Sequence, residues 1–227
     1  MWIVDVTSGE RVTATRTAID ATRARFTIDA QDGHEYFVAT EAGLMAPTAL
    51  RARSEQHFAD SGRAADYVVI AHRSLLGALE PLLQARATDG FATLAVDVQD
   101  VYDEYAAGVP DPDALRMFLR DARDSWSVAP RYVLIAGHGT FDFRDVRGMG
   151  DNLVAGPMTR TTGGLYASDA MLVSDSEWSG PQLPIGRLPA RTAGELSEMI
   201  GRILAYESRD HSAVLAVADY PSQGDDF

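Results

Sequence analysis

Cysteine is absent from all 227 residues. That excludes disulfides, thiolate zinc sites and a cysteine nucleophile within this chain, and it leaves the redox compartment open. Lysine is also absent, so all 20 basic residues are arginine against 33 acids, for a net charge of -13. An acidic field of this size repels phosphate backbones, so no nucleic-acid partner is expected. No apolar run reaches the ~18 residues of a membrane span. The start, MWIVDVTSGERV, lacks the basic opening and apolar core of a signal peptide and reads as the middle of something, a strand with no preceding turn. There is no internal repeat and no low-complexity stretch.

What is present suffices for a packed core: 46% hydrophobic and 23% charged residues are ordinary for a globular chain. The first part reads as all-β. Trp2–Val6 is a short apolar run. Arg25–Ala30 and Glu35–Thr40 alternate as strands around Gln31-Asp32-Gly33-His34, where Asp-Gly is a hairpin signal. Residues 42 to about 62 show little periodicity and read as a linker.

From Asp66 the rhythm changes. Asp66–Ala71, Ala92–Val98 and Arg131–Ala136 are short runs rich in apolar residues, as expected of strands buried on both faces. Between them lie helical patterns. Leu75–Ala87 contains Pro81, which should kink it or end a first turn. Val101–Ala107 is short and amphipathic. A longer helix starts at Asp111 as N-cap with Pro112 in the first helical position and runs to about Trp126. Residues 137–164 form a glycine-rich, irregular stretch at the carboxyl end of a strand, where α/β proteins usually place function. Leu183–Leu188 reads as a strand. Thr192-Ala193-Gly194-Glu195 has the spacing of a capping box for a helix through Tyr206, and Ser212–Ala218 reads as a last strand. Alternating strands and helices predict a mostly parallel sheet with helices on both faces, preceded by a small antiparallel β segment. The expected domains are 1–62, a β-rich lead-in and linker, and 63–227.

Several stretches together carry a family resemblance. They are VDVQDVYDEYAAGVPDPDALRMFLRDARDSW (Val96–Trp126), RYVLIAGHGTFDFRD (Arg131–Asp145), ASDAMLV (Ala167–Val173), LPIGRLPARTAGELSEMIGRILAYE (Leu183–Glu207) and VLAVADYPSQGDDF (Val214–Phe227). Their order and spacing resemble the amino-terminal portion of the gingipain-like cysteine peptidases, whose relatives include the type IX secretion sortase. The resemblance covers Asp66 to Phe227 and implies a caspase-like fold. It further implies a Cys/His dyad that lies downstream of the segment equivalent to Val214–Phe227, a polypeptide substrate, and a secreted or cell-surface bacterial protein. On this reading the chain is the front part of an endopeptidase, incomplete at its carboxyl end and inactive alone. The truncated sheet is then expected to leave an exposed edge and to self-associate. The alternative is a non-catalytic caspase-like module for partner binding or secretion architecture.

Five residues stand out as groove or loop architecture: Gly137, His138, Asp142, Asp169 and Arg187. His138 looks like a presented catalytic histidine, but it matches the family's Gly-Asp-Ala/Ser turn and has no thiol here to activate, so it reads as a loop residue. A hydrolytic role for His138 with Asp142 is a third reading. Gly137 and Gly139 read as the sharp turn after the strand, at positive φ. Arg187 reads as architectural, paired with Asp142 or Asp169. Asp142, Asp145, Asp169 and Asp175 raise the question of calcium, which takes six to eight oxygens; solvated acids capping turns is the preferred reading, and no cofactor is expected. His72 could share an edge with His138, but no third metal ligand has a telling spacing. His34, His57 and His211 read as surface residues.

Overall fold

The computed structural model describes residues 2–18, 23–44, 57–150, 152–176 and 179–209. Its contacts divide the chain into two compact units, Met1–Ala52 and Arg53–Phe227.

The first unit is antiparallel. β1 (Trp2–Asp5) pairs with β4 (Tyr36–Ala39), and β2 (Thr15–Ala18) pairs with β3 (Ala24–Thr27). The two strands expected to form one hairpin thus exist but take other partners. The Asp-Gly turn is there, with Gly33 at φ 77° and a bond from His34 N–H to the Gln31 carbonyl. Residues 28–35 separate β3 from β4, too many for a two-residue turn, and β4 is captured instead by β1. A side-chain contact secures that pairing. Asp5 is buried, accepts from the Thr7 and Ser8 N–H groups, and lies 2.6 Å from His34 Nδ1. His34 is therefore half-buried and partnered rather than a plain surface residue.

The second unit is built on a four-stranded sheet in the order β10-β7-β5-β6, with every pairing parallel. The strands are β5 (Tyr67–Ala71), β6 (Thr93–Asp97), β7 (Tyr132–Ala136) and β10 (Ile185–Leu188). Side chains alternate across it. Val68, Ile70, Val133 and Ile135 point to one face, where they meet α3 (Val98–Tyr105) and α4 (Pro112–Ser125). Val69, Ala71 and Ala136 point to the other, against Leu75, Leu79, Leu82, Leu196 and Ile200. Burial on both sides is the reason these strands read as unbroken apolar runs.

Local chemistry sets the helix boundaries. α4 begins as expected, with Asp111 accepting from the Asp113 N–H and Pro112 in the first turn. The Leu75–Ala87 pattern is not one helix. α1 (Arg73–Leu76), a 3-10 turn (Gly77–Leu79) and α2 (Glu80–Thr88) follow one another, because Pro81 fits only the first turn of α2. α5 (Ala193–Glu207) is capped by Thr192, whose hydroxyl accepts from the Glu195 N–H at 3.2 Å. The return half of the capping box is displaced by one residue: the Glu195 carboxylate accepts from the Arg191 N–H at 2.7 Å. Arg86 on α2 grips Glu207 on α5 with two bonds of 2.6 and 3.0 Å.

The division at Ala52 lies ahead of the 62/63 change of rhythm, and Phe58 shows why. Its ring is buried edge-on against Phe118 at 4.9 Å, and its carbonyl accepts from the Trp126 indole at 2.7 Å. Its N–H is held by Glu104 of the VYDEY stretch. One aromatic thus joins an aperiodic segment to the core. The irregular stretch after β7 also holds order that periodicity missed: β8 (Met158–Thr161) and β9 (Gly164–Ala167) form a short antiparallel hairpin. The expected strand Ser212–Ala218 lies outside the described residues, as does His211. Among the described residues, no helix is long and apolar enough to cross a membrane.

Candidate functional site

At the carboxyl ends of β7 and β10 the chain opens into a cavity of about 490 Å³. It is lined by His138, Gly139, Thr140, Phe141, Met149, Gly156, Met158, Ala167, Asp169, Arg187 and Pro189. Strand ends of parallel sheets are the usual place for a ligand site, because loops diverge there and leave a crevice.

The floor is a tightly bonded turn. β7 ends at Ala136, and Gly137 follows at φ 145°. A side chain there would also meet Val154 Cγ2 at 2.9 Å, so glycine is required twice over. Gly139 is different from expectation. It has no positive φ; its constraint is space, since a Cβ would sit 2.6 Å from the Val154 carbonyl oxygen. The main chain of His138 is used in both directions. Its N–H donates to the Ala190 carbonyl at 2.9 Å, and its carbonyl accepts from the N–H groups of Leu153 and Val154 at 2.9 and 3.1 Å.

Arg187 ties these pieces together. Its guanidinium forks onto Asp169 through Nε at 2.8 Å and Nη2 at 2.7 Å, while Nη1 donates to the carbonyls of Gly137 and Val154 at 2.9 and 3.0 Å. The planar five-donor group suits this arrangement and an ammonium does not. Asp169 is therefore the partner. Asp142 is not: 8% exposed, it accepts from the Val146 and Arg147 N–H groups at 3.0 and 2.8 Å and shapes its own loop.

Behind the cavity, Tyr102 of α3 accepts from the Ala155 N–H at 3.0 Å. Burial pushes its phenol up to about 12. Asn152 joins the same loop to Thr140 and Phe143 through bonds of 3.1 and 3.2 Å. None of Tyr102, Asn152 or Val154 was singled out from sequence. Tyr102 lay within a quoted stretch, yet only the fold brings it to residue 155.

His138 Nε2 lies 3.2 Å from Arg191 Nη2. An arginine nitrogen only donates, so this ring nitrogen is an acceptor engaged by a cation. His72 is elsewhere, at the end of β5, where it caps α1 by accepting from the Ser74 N–H. Burial lowers its imidazole below the ordinary value, with Asp97 opposing. The four aspartates considered for calcium are dispersed. Asp142 and Asp145 accept loop N–H groups, Asp169 holds Arg187, and Asp175 pairs with Arg123 at 2.9 Å. Among the described residues no three acids, histidines or cysteines converge on one point.

A parallel sheet with helices on both faces and a crevice beyond its strand ends is an open α/β architecture, and the likeness to solved structures makes the fold caspase-like. The model of peptidase family C25 matches residues 60–226, and the chain belongs to that family. Among solved structures it is similar to dimeric latent PorU from Porphyromonas gingivalis, with 17% identity and a TM-score of 0.64 over 91% of this chain. It is also similar to the complex of the RgpB pro- and mature domains from the same organism, with 20% identity and a TM-score of 0.45 over 62% of this chain. The chain spans 22% of the PorU chain and 28% of the RgpB chain. No curated protein sequence matches. These findings establish a cysteine-peptidase-related protein.

Proposed function

We propose that this chain is part of a cysteine endopeptidase, supplying one wall of the groove that holds a polypeptide substrate. The observation that carries this is the cavity beyond β7 and β10, built by the family-matched segment and braced by Arg187 and Asp169. Hydrolysis itself needs a thiolate and a histidine contributed from outside these 227 residues, which hold no cysteine. The thiolate attacks the peptide carbonyl, the amine leaves with a proton from the imidazolium, and water then releases the acyl group. His138 serves as a loop residue in this scheme. Its Nε2 accepts from Arg191, and no thiol lies in the chain for it to deprotonate. Membership of the family suggests a secreted or surface protein of a bacterium.

The test is to express the complete reading frame and treat it with a thiol-directed peptidyl probe. One labelled cysteine, lost on substitution of a histidine following a strand, is the expected result. The absence of cysteine here equally suits a non-catalytic caspase-like module, and a complete protein that folds but takes no label would favour that reading.

A further inference from the structure

We infer that the cavity beyond β7 and β10 receives an apolar side chain of a polypeptide, of the phenylalanine, leucine or methionine class, in preference to a basic one. The peptide character of the guest rests on the peptidase reading; the apolar preference does not.

Charge decides the matter. Among the described residues the cavity's single carboxylate is Asp169, and each of its oxygens accepts from the Arg187 fork, at 2.7 and 2.8 Å. The remaining Arg187 nitrogen is spent on two carbonyls. The pair is neutral overall, so a guest guanidinium or ammonium entering here finds no unpaired acid among the described residues and regains little of the hydration it loses. A guest carboxylate gains little either, since four of the five Arg187 N–H donors are already committed and the Asp169 carboxylate stands beside them.

Besides His138 and Thr140, the rest of the lining is apolar. Phe141 and Met149 are about half exposed, and Met158, Ala167 and Pro189 complete the wall. Methionines adapt to guests of different shape. At about 490 Å³ the space accommodates a large side chain and the adjoining main chain. One lining group seeks a polar partner. The Thr140 hydroxyl is buried and has no hydrogen-bond partner among the described residues. Such a group is costly to bury alone.

The experiment titrates the 227-residue chain with N-acetyl-phenylalanine-amide and N-acetyl-arginine-amide, following nuclear magnetic resonance shifts of the cavity residues. The phenylalanine amide should bind roughly tenfold tighter. Met158→Asp should remove that preference. Circular dichroism verifies that the variant is folded. Equal or tighter binding of the arginine amide overturns the inference, as does the absence of binding by either amide, or an unchanged preference in Met158→Asp. Binding by this chain but not by the complete protein also overturns it, because the cavity is then filled by the protein's own chain. The two readings fail separately. A complete protein that takes no thiol label, while the phenylalanine amide still binds, loses the peptidase and keeps the site; a labelled protein that prefers arginine does the reverse.

Discussion

Replacing Arg187 with methionine should cost the second unit about 3 kcal/mol. The side chains of Arg187 and Asp169 are 14% and 25% exposed, so the pair is mostly withdrawn from solvent. Methionine keeps much of the stem's packing but removes four hydrogen bonds: two on the Asp169 carboxylate and one each on the carbonyls of Gly137 and Val154. Removing one partner from a buried ion pair costs roughly 3–5 kcal/mol, because the other charge is left uncompensated. Partial exposure of Asp169 lets water relieve some of this, which sets the value at the lower end. Arg187→Lys should lose less, about 1–2 kcal/mol, since one ammonium cannot span the carboxylate and both carbonyls. Adding Asp169→Leu to Arg187→Met should recover about 1–2 kcal/mol relative to the sum of the single changes. The assay is urea unfolding followed by far-ultraviolet circular dichroism, which reports on the second unit because every α-helix among the described residues lies there. A loss under ~1 kcal/mol for Arg187→Met, or additivity within ~0.5 kcal/mol in the cycle, would refute the bracing role.

Three further outcomes are expected. Gly139→Ala should destabilise by about 1–3 kcal/mol, because the new methyl meets the Val154 carbonyl and the loop must yield; an unchanged urea midpoint would show that the loop moves freely. Tyr102→Phe should cost about 1–2 kcal/mol by orphaning the Ala155 N–H. The phenol's folded value of about 12 exceeds its ordinary 10.0, so the tyrosine's contribution is complete below pH 10.0 and fades as pH rises toward 12. Stability–pH curves for the two proteins should therefore converge over that interval, and parallel curves would contradict the assignment. In the first unit, the His34 hydrogen bond holds the Asp5 carboxyl below its ordinary 3.8. Its contribution is present above 3.8 and is lost as pH falls through the lower folded value. His34→Ala should raise the Asp5 value in a carboxyl-resolved titration; no movement would mean the contact is not formed.

The parallel sheet was legible because burial on both faces leaves its mark directly in Tyr67–Ala71 and Tyr132–Ala136 as unbroken apolar runs. The start of α4 was equally plain, since Asp111 and Pro112 act on their immediate neighbours. The hairpin was misassigned for the opposite reason. Alternation marks a strand but not its partner, and β4 found β1 about 30 residues away in sequence. Phe58 and the β8–β9 hairpin went unread because neither sits in a periodic segment.

The candidate site divides along the same line. Arg187 was marked out by its place at a strand end, and its partner was narrowed to two aspartates. Choosing Asp169 over Asp142 needed coordinates, because both follow the sheet and only the loop path decides which carboxylate reaches the guanidinium.

The chain's own sequence determined that it is an acidic, cysteine-free α/β protein, where the four parallel strands and the main helices lie, and where its strand-end loops begin, since these follow from composition and from neighbours a few residues apart. Tertiary structure alone decided the closed Arg187–Asp169 pair, the Tyr102 prop behind the loop and the apolar cavity in front of it. Those features join residues 18 to 53 positions apart, and no local pattern encodes a distance of that kind.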